Sequence, residues 1–319
     1  MDAAALLRQS RRPLVLGIGG GGDVVGALAT AEACRLHHTA APMLGGVTWE
    51  RRPVDPEPGP RSEEEIENAR PLAAGVLAAS GATRVRGSGV RFAEARVAEL
   101  FGEETLLIDV TCGPTTIAAG LAAAMAELRR DLAVFIDVGG DALAHGDEPG
   151  LASPLCDAVM MAAAARLERM RGPPVLGGIF GIGCDGELTP DEVVDRLAEV
   201  AGARGGSSPP APLTPEVVER MEGAVLAVPT EASAMALRAY HGETGETTIR
   251  SGRRTVHLTA LAANTYYFDP EVAVRSAARL AAAVGDAADL EEANEILHGL
   301  GIRTELDYER DAPHTSPEG

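Results

Sequence analysis

Short apolar runs alternate with longer segments of helical periodicity along most of the chain. Each run leads into a polar, often glycine-rich loop, which is typical of strands and helices that follow one another in a parallel α/β sheet. Two of the helices carry clear start signals, because Ser153-Pro154 and Thr189-Pro190 place an N-cap residue before a proline. The expected strands are residues 13–18, 42–48, 105–110, 132–138 and 174–182.

Less regular segments give further predictions. A capping box that begins at Ser62 predicts a helix to about Ala79. Residues 224–228 resemble a strand, and residues 248–258 resemble a hairpin. Together with the main strands, the pattern predicts a Rossmann-like, mainly parallel sheet with helices on both faces, which is a three-layer α/β/α architecture.

The domain organisation follows from where strands are expected. Residues 203–211 are rich in glycine, serine and proline and are the best candidate for a linker. The part after this segment has too few expected strands for a sheet of its own. We therefore expect one α/β domain over residues 1–310, with a C-terminal extension from about residue 212 and a frayed tail at residues 311–319.

Charge and lysine content restrict the function. The chain of 319 residues carries 28 basic and 47 acidic side chains, a net charge of −19, and every basic residue is an arginine. The absence of lysine excludes a pyridoxal-phosphate Schiff base and a Walker A loop. The negative charge argues against nucleic acid and anionic membrane surfaces as partners. A small-molecule substrate remains, with a homo-oligomer as a candidate assembly.

Cysteine usage and hydropathy bear on the compartment. The four cysteines form no C-x-x-C pair, which argues against a zinc ribbon or a thioredoxin site. Scattered thiols favour a reducing compartment. Residues 1–12 lack the apolar core of a secretory signal, and the apolar runs are shorter than the roughly 18 residues that a membrane helix needs. We expect a cytoplasmic protein.

Four glycines and an acid follow the first strand: Gly19, Gly20, Gly21, Gly22 and Asp23. Glycine accepts positive φ, so successive N–H groups can converge on an anion at a helix N-terminus, which predicts a phosphate or carboxylate cradle. A dinucleotide site and a purely structural turn are the alternatives. A dinucleotide site needs an acid about 20 residues further on, whereas Glu50 lies 28 residues past Gly22. Asp23 would also repel a pyrophosphate unless a cation lies between them.

A second polar loop follows the strand at residues 105–110. Its hydroxyl groups and backbone precede a helix, so Thr111, Gly113, Thr115 and Thr116 are candidate anion-binding residues. Cys112 could be a nucleophile there, and a small buried residue at a turn is the alternative.

The third loop carries the strongest catalytic candidates. Asp137 ends an otherwise apolar strand, and burial of a lone carboxylate costs several kcal/mol unless a partner stabilises it. Asp141 follows across two glycines, and Glu148 lies further along the loop. Such acids suit acid–base catalysis, and Asp137 with Asp141 could ligate Mg²⁺ or another divalent cation. Helix capping and turn hydrogen bonds are the alternative.

Four secondary candidates complete the set. Glu50 follows the second strand, Asp185 follows the strand at 174–182, and Ser153 and Asp157 lie at the start of a helix. For Asp157 the helix dipole alone already favours an acid at that place.

Three long strings resemble a prokaryotic family of domains of unknown function. They are G-I-G-G-G-G-D-V-V-G-A, L-G-G-V-T-W-E-R and D-V-G-G-D-x-L-x-x-G-x-E-x-G-L-x-S-P-L-x-D-A. The likeness covers roughly residues 12–270 and supports a single domain, but it implies no activity. D-x-G-G-D also loosely resembles the strand-end motif of nucleoside hydrolases, although the two adjacent aspartates of that motif are absent.

These observations predict an enzyme that acts on a small anionic, phosphorylated or nucleoside-like metabolite by hydrolysis, elimination or group transfer. An NAD(P)-dependent oxidoreductase is the first alternative. A non-catalytic nucleotide- or metabolite-binding protein is the second.

Overall fold

Strands and helices alternate through the computed structural model, which describes residues 2–52, 54–206 and 208–312. The strands are β1 (Pro13–Gly17), β2 (Met43–Val47), β3 (Ile66–Ala73), β4 (Val76–Val85), β5 (Thr105–Ile108), β6 (Leu132–Val138), β7 (Val175–Phe180), β8 (Ala211–Pro212), β9 (Gly245–Ile249), β10 (Arg254–Leu258) and β11 (Asn264–Phe268). The α-helices are α1 (Ala3–Gln9), α2 (Asp23–His38), α3 (Ala93–Phe101), α4 (Pro114–Leu128), α5 (Pro154–Arg169), α6 (Pro190–Gly202), α7 (Pro215–Ala227), α8 (Ala232–Tyr240), α9 (Pro270–Ser276), α10 (Arg279–Ala283), α11 (Leu290–Gly299) and α12 (Glu305–Asp311).

Nine strands form one sheet in the order β3-β4-β5-β2-β1-β6-β7-β11-β8. The five central strands, from β5 to β7, run parallel. The outer strands pair antiparallel at both ends of the sheet. Because parallel strands end at the same edge, the loops after β1, β5, β6 and β7 all lie on one edge of the sheet.

Helices pack on both faces of this sheet, so the predicted three-layer α/β/α fold is confirmed. One core lies under α4, α5, α9, α10 and α11, and the other under α1, α2, α7 and α8. Successive side chains of a strand point to opposite faces. Leu14 and Leu16 of β1 accordingly join the first core and Val15 joins the second.

The segment from Ser62 to Ala79 is not the helix that the capping box predicts. The capping box forms, but it begins a single 3-10 turn, Glu63–Glu65, and the chain then enters the hairpin β3–β4. β4 pairs with β5, with Val76 opposite Ile108. The capping signal is local, whereas this pairing depends on a strand much later in the chain, and the tertiary contact prevails.

The C-terminal part contributes to the same sheet. β11, which the sequence analysis did not predict, pairs with β7 and with β8. Residues 224–228 are not a strand, because 224–227 are the last turn of α7. The hairpin expected at 248–258 is confirmed as β9–β10, with Arg254 opposite Ile249.

The predicted frayed tail begins within α12, which ends at Asp311. Residues 313–319 lie outside the described residues. Among the helices of the described ranges, none is both long enough and apolar enough to cross a membrane.

Candidate functional site

The gap between β1 and β6 is where the chain leaves adjacent parallel strands toward opposite faces. β1 leads into α2 on one face, and β6 leads into α5 on the other. In open α/β sheets such a switch point leaves a crevice beyond the strand ends, where ligands bind. Three aspartates meet there: Asp23 begins α2, Asp137 lies in β6, and Asp157 lies in the first turn of α5.

These residues form what we call the three-aspartate cluster. One carboxylate oxygen of each residue lies within 4.8 Å of the other two. Gly19 N–H donates to Asp23 Oδ2 at 2.9 Å, and Ala142 N–H donates to Asp137 Oδ2 at 3.1 Å. Asp157 is 2% exposed, and its Oδ1 has no hydrogen-bond partner among the described residues. Two members are thus held in place by backbone N–H groups, and the third has a buried oxygen without a partner among the described residues.

The electrostatics of the cluster disfavour three negative charges. Burial raises the pKa of Asp23 to about 7, against the opposing effects of the Gly19 N–H and Arg51. The pKa values of Asp137 and Asp157 lie well above the ordinary 3.8, because both are buried and because other carboxylates lie beside them. Such a group is stable only with bound protons or a bound cation.

A second carboxylate group borders the first and comprises Asp141, Asp185 and Glu187. One oxygen of each lies within 4.8 Å of the others. The pKa of Asp141 is raised well above its usual range, by burial first and then by the charge of Asp157. Asp185 lies over Gly139, which has a φ of +132°, and a Cβ there would lie 2.2 Å from the Asp185 carboxyl carbon. Glycine at this position therefore makes room for the carboxylate.

Glu187 is the fully paired member of the second group. Its carboxylate accepts the N–H groups of Ala152 at 2.7 Å and Ser153 at 2.8 Å, and it also binds the Ser153 hydroxyl and the Arg254 guanidinium. Burial alone would raise the pKa of Glu187, but Arg254 and these donors hold it below 4.5. Glu187 is not among the site residues predicted from the sequence. The feature that could have identified it is its position two residues after Asp185, in the same loop.

The structure thus brings together five of the sequence candidates: Asp23, Asp137, Asp141, Asp157 and Asp185. Ser153 reaches the second group through its contacts with Glu187.

The glycine loop bends as expected but holds a carboxylate of the protein itself. Residues 20–22 have φ values between +59° and +125°. The Gly19 N–H donates to Asp23, and the Gly21 N–H donates to the Trp49 carbonyl oxygen at 2.9 Å. Two donors of the predicted anion cradle are thus occupied within the chain, and the loop positions Asp23. Anion binding by the remaining N–H groups stays a prediction.

The loop after β5 does not face the three-aspartate cluster, because β2 lies between β5 and β1. Thr111 donates its N–H and its hydroxyl to the carboxylate at the end of β5, and the Gly113 N–H donates to the Ala288 carbonyl oxygen at 3.2 Å. Thr115 and Thr116 are exposed on α4. The second predicted anion site is therefore corrected to a loop closed by the segment before α11.

Glu148 is also placed differently from its predicted catalytic role. Its carboxylate accepts the N–H groups of His145 and Gly146 at 2.8 Å each and pairs with Arg196 at 3.1 Å. These donors hold the pKa of Glu148 below 4.5 although burial opposes them. Glu148 stabilises a turn and an ion pair and is not a member of the three-aspartate cluster.

Glu50 is directed away from the crevice. It is 6% exposed and accepts the N–H of Ala93 at the start of α3. Burial raises its pKa to about 7. The acid closest to a dinucleotide ribose position therefore caps a helix in this structure.

Arg51 borders the site, although the sequence analysis did not single it out. Its Nη2 donates to the Gly19 carbonyl oxygen at 2.8 Å and lies 3.2 Å from Glu305 Oε1. Glu305 accepts the N–H groups of Leu155 and Cys156 at the start of α5. A carboxylate from α12 thus occupies the N-terminus of α5 and links it to the glycine loop through Arg51.

The hairpin β9–β10 contacts the second carboxylate group, which comprises Asp141, Asp185 and Glu187. Arg254 donates to Glu187 and, at 3.2 Å, to the Asp185 carbonyl oxygen. The backbone of Thr255 passes close to Gly186, where a Cβ would lie 2.7 Å from the Thr255 carbonyl oxygen. The hairpin is therefore fixed against the loop that carries Asp185.

Fold and site together define a three-layer α/β protein with a buried acidic cluster at the switch point of its sheet. A family model described as "Protein of unknown function (DUF1152)" matches residues 14–313, and the chain belongs to that family. The resemblance inferred from the three sequence strings is confirmed. Comparison with curated proteins and with solved structures gave no match.

Proposed function

We propose that this protein is a divalent-cation-dependent enzyme that acts on a small anionic metabolite by hydrolysis or group transfer. The observation that carries the proposal is the convergence of Asp23, Asp137 and Asp157 at the switch point, with a buried Asp157 oxygen that has no partner among the described residues. Carboxylate oxygens are the ligands that Mg²⁺ prefers in proteins.

A cation explains features that a purely structural role does not. Elsewhere on the same sheet edge, buried carboxylates such as Glu148 and Glu187 accept backbone N–H groups and pair with arginine. Among the described residues, Asp157 has neither kind of partner at Oδ1. A bound cation supplies the missing positive charge and stabilises the ionised form of all three aspartates.

The proposed reaction gives one role to the three-aspartate cluster and another to Asp141 in the second carboxylate group. A cation at the three-aspartate cluster would polarise an oxygen of the substrate or lower the pKa of a bound water. Asp141 adjoins the cluster, and burial together with the neighbouring carboxylates raises its pKa, so it is the candidate to deliver or accept a proton.

Two alternatives are less well supported. Glu50 caps α3, which disfavours a ribose contact of the kind that a nicotinamide-dependent oxidoreductase uses. A non-catalytic binding protein would share the cation site but leave the ligand unchanged.

We place the reaction in the cytoplasm, because the four cysteines are free, as expected of a reducing compartment.

Calorimetric titration of the protein with Mg²⁺ and Mn²⁺ tests the cation site. Binding is expected in the wild type, with a loss of at least tenfold in affinity in Asp157→Asn. Asp195→Asn is the matched control, because Asp195 is an exposed acid on α6 and its replacement makes the same change in charge.

The enzymatic part is tested by screening the cation-loaded protein for turnover of phosphate esters and related anionic metabolites. Asp137→Asn should abolish any turnover found while the variant remains folded. Equal cation affinity in Asp157→Asn and the wild type would rule out the cluster as the cation site.

A further inference from the structure

The tip of the hairpin β9–β10 presents an arginine to the acidic crevice. Arg254, the first residue of β10, anchors the hairpin to Glu187 and to the backbone of Asp185. Arg250 follows β9 directly, at the turn that joins the two strands. Its own N–H donates to Glu231 at 2.7 Å, which fixes the turn to the start of α8. The position of Arg250 is therefore set at both ends of the turn.

The turn between β9 and β10 places residues other than glycine in the left-handed backbone region. Arg250 and Ser251 have φ values of +53° and +56°, and Gly252 continues at +81°. The left-handed region is disfavoured for residues other than glycine, and it persists where the surrounding contacts impose it. Here the contacts of Glu231 and Arg254 hold the turn against the crevice.

The side chain of Arg250 differs from those of the two neighbouring arginines. Arg51 is paired with Glu305, and Arg254 is paired with Glu187. The Arg250 guanidinium forms no hydrogen bond or ion pair with a described residue, and Arg250 is exposed, so a ligand from solvent can reach it. The Arg250 guanidinium nevertheless lies near enough to Asp23 and Asp185 to oppose the rise that burial causes in the pKa of both carboxyls.

We propose that Arg250 is a substrate-binding residue and that the anionic group it recognises is a phosphoryl group, held between the guanidinium and a divalent cation on Asp23, Asp137 and Asp157. This inference rests on the cation site of the proposed function and adds the substrate class. Mg²⁺ in proteins is commonly held by one or two carboxylates together with substrate phosphates. Arginine matches phosphate oxygens with two parallel N–H donors.

The glycine loop supports this arrangement because two of its four glycine N–H groups are not free to bind an anion. Its Gly19 and Gly21 N–H groups are occupied by Asp23 and by Trp49. With Arg51 and Arg254 also paired, Arg250 is the cation near the crevice that is left for a ligand in the described part of the chain.

Calorimetric titration of inorganic phosphate into the full-length protein tests the proposal, with and without saturating Mg²⁺. The variants are Arg250→Gln, Arg250→Lys and, as the matched control, Arg253→Gln. Arg253 lies on the same turn and carries the same charge, and its Nε donates to the Arg250 carbonyl oxygen at 3.0 Å. Arg253→Gln therefore shows the effect of losing a charge and a turn contact while the Arg250 guanidinium is kept. We expect Arg250→Gln to weaken phosphate binding at least tenfold and Arg250→Lys to restore part of it. Arg253→Gln should change it less than twofold.

The titration with Mg²⁺ alone separates this proposal from the one on which it rests. Arg250→Gln should bind Mg²⁺ as tightly as the wild type or more tightly, because it removes a positive charge near the cation. Phosphate binding that depends on Arg250 would support the assignment of Arg250 even if Mg²⁺ does not bind. Equal phosphate affinity in Arg250→Gln and the wild type, or tighter binding of acetate than of phosphate, would overturn it.

Discussion

Two kinds of buried carboxylate lie side by side on the same edge of the sheet. Glu187 is 3% exposed and Asp157 is 2% exposed, so water solvates neither of them well. Glu187 accepts two backbone N–H groups and an arginine, and its pKa lies below the ordinary value. Asp157 has an oxygen without a partner in the described residues, and its pKa lies well above the ordinary value.

The difference shows that burial alone does not distinguish a structural acid from a functional one. Glu187 is neutralised within the chain, so its site is complete and joins the hairpin β9–β10 to the start of α5. Among the described residues, no ion pair of that kind reaches the three-aspartate cluster, and under the proposed function a bound cation completes the site. Four predictions test this difference between the two kinds of carboxylate.

The largest effect is expected on stability in the absence of metal. Glu187→Gln should lower the free energy of unfolding by about 3–5 kcal/mol, because it leaves the largely buried Arg254 without its counter-charge. Asp157→Asn should leave stability unchanged or raise it, because it removes a repulsive negative charge. Urea unfolding in EDTA measures both. A similar loss in the two variants would mean that Asp157 also has a structural partner.

The two kinds of carboxylate should also respond to pH in opposite directions. Asp23 has a raised pKa of about 7 against an ordinary 3.8, so its folded form keeps a proton that the unfolded chain loses first. Without metal, this group lowers the free energy of unfolding as pH rises from about 4 to about 7. The pKa of Glu187 lies below 4.5, so its contribution is lost as pH falls below that value.

Mg²⁺ should counteract the loss at the upper end of this range. At 100 times its Kd it adds about 2.7 kcal/mol, and the gain should be larger at pH 7.5 than at pH 5.5 because protons compete for the same oxygens. Unfolding at both pH values, with Mg²⁺ and with EDTA, measures the effect. The same Mg²⁺ stabilisation at the two pH values would contradict the assigned ligands.

The smallest effect is expected at Glu148. Glu148→Gln removes a largely buried ion pair with Arg196 and keeps an acceptor for only one of the N–H groups of His145 and Gly146. Arg196 retains its ion pair with Glu199, so the loss should be about 2 kcal/mol. Cation affinity should not change. In a double-mutant cycle with Arg196→Gln, the two losses should add to more than the loss in the double variant. A loss of cation binding in Glu148→Gln would return this residue to the active site.

Much of the fold could be predicted because its signals are local. The central strands and the starts of α5 and α6 follow from apolar runs, N-cap residues and prolines. The hairpin β3–β4 could not be predicted in this way. Ser62 and Glu65 form the expected capping box, and only the pairing with β5 turns the next residues into strands.

The candidate site also has a part that the sequence predicts and a part that it does not. Asp137 could be selected from sequence alone, because a carboxylate at the end of an apolar strand is costly without a partner. The sequence could not show which other acids lie beside Asp137 in the folded protein. Asp157 and Glu148 lie in the same part of the chain, yet one joins the cluster and the other pairs with Arg196.

The amino-acid sequence is enough to predict the parallel α/β class, the single sheet edge at which the strand-end acids collect, and the exclusion of lysine chemistry. These properties depend on residue types and on spacings of a few positions. Which carboxylates have partners depends on the folded structure. The arginines that neutralise Glu148 and Glu187 lie far along the chain, at Arg196 and Arg254, and no local pattern links them to those acids. Because the charge state of a buried acid depends on what surrounds it in space, the difference between a structural and a functional carboxylate appears only once the chain is folded.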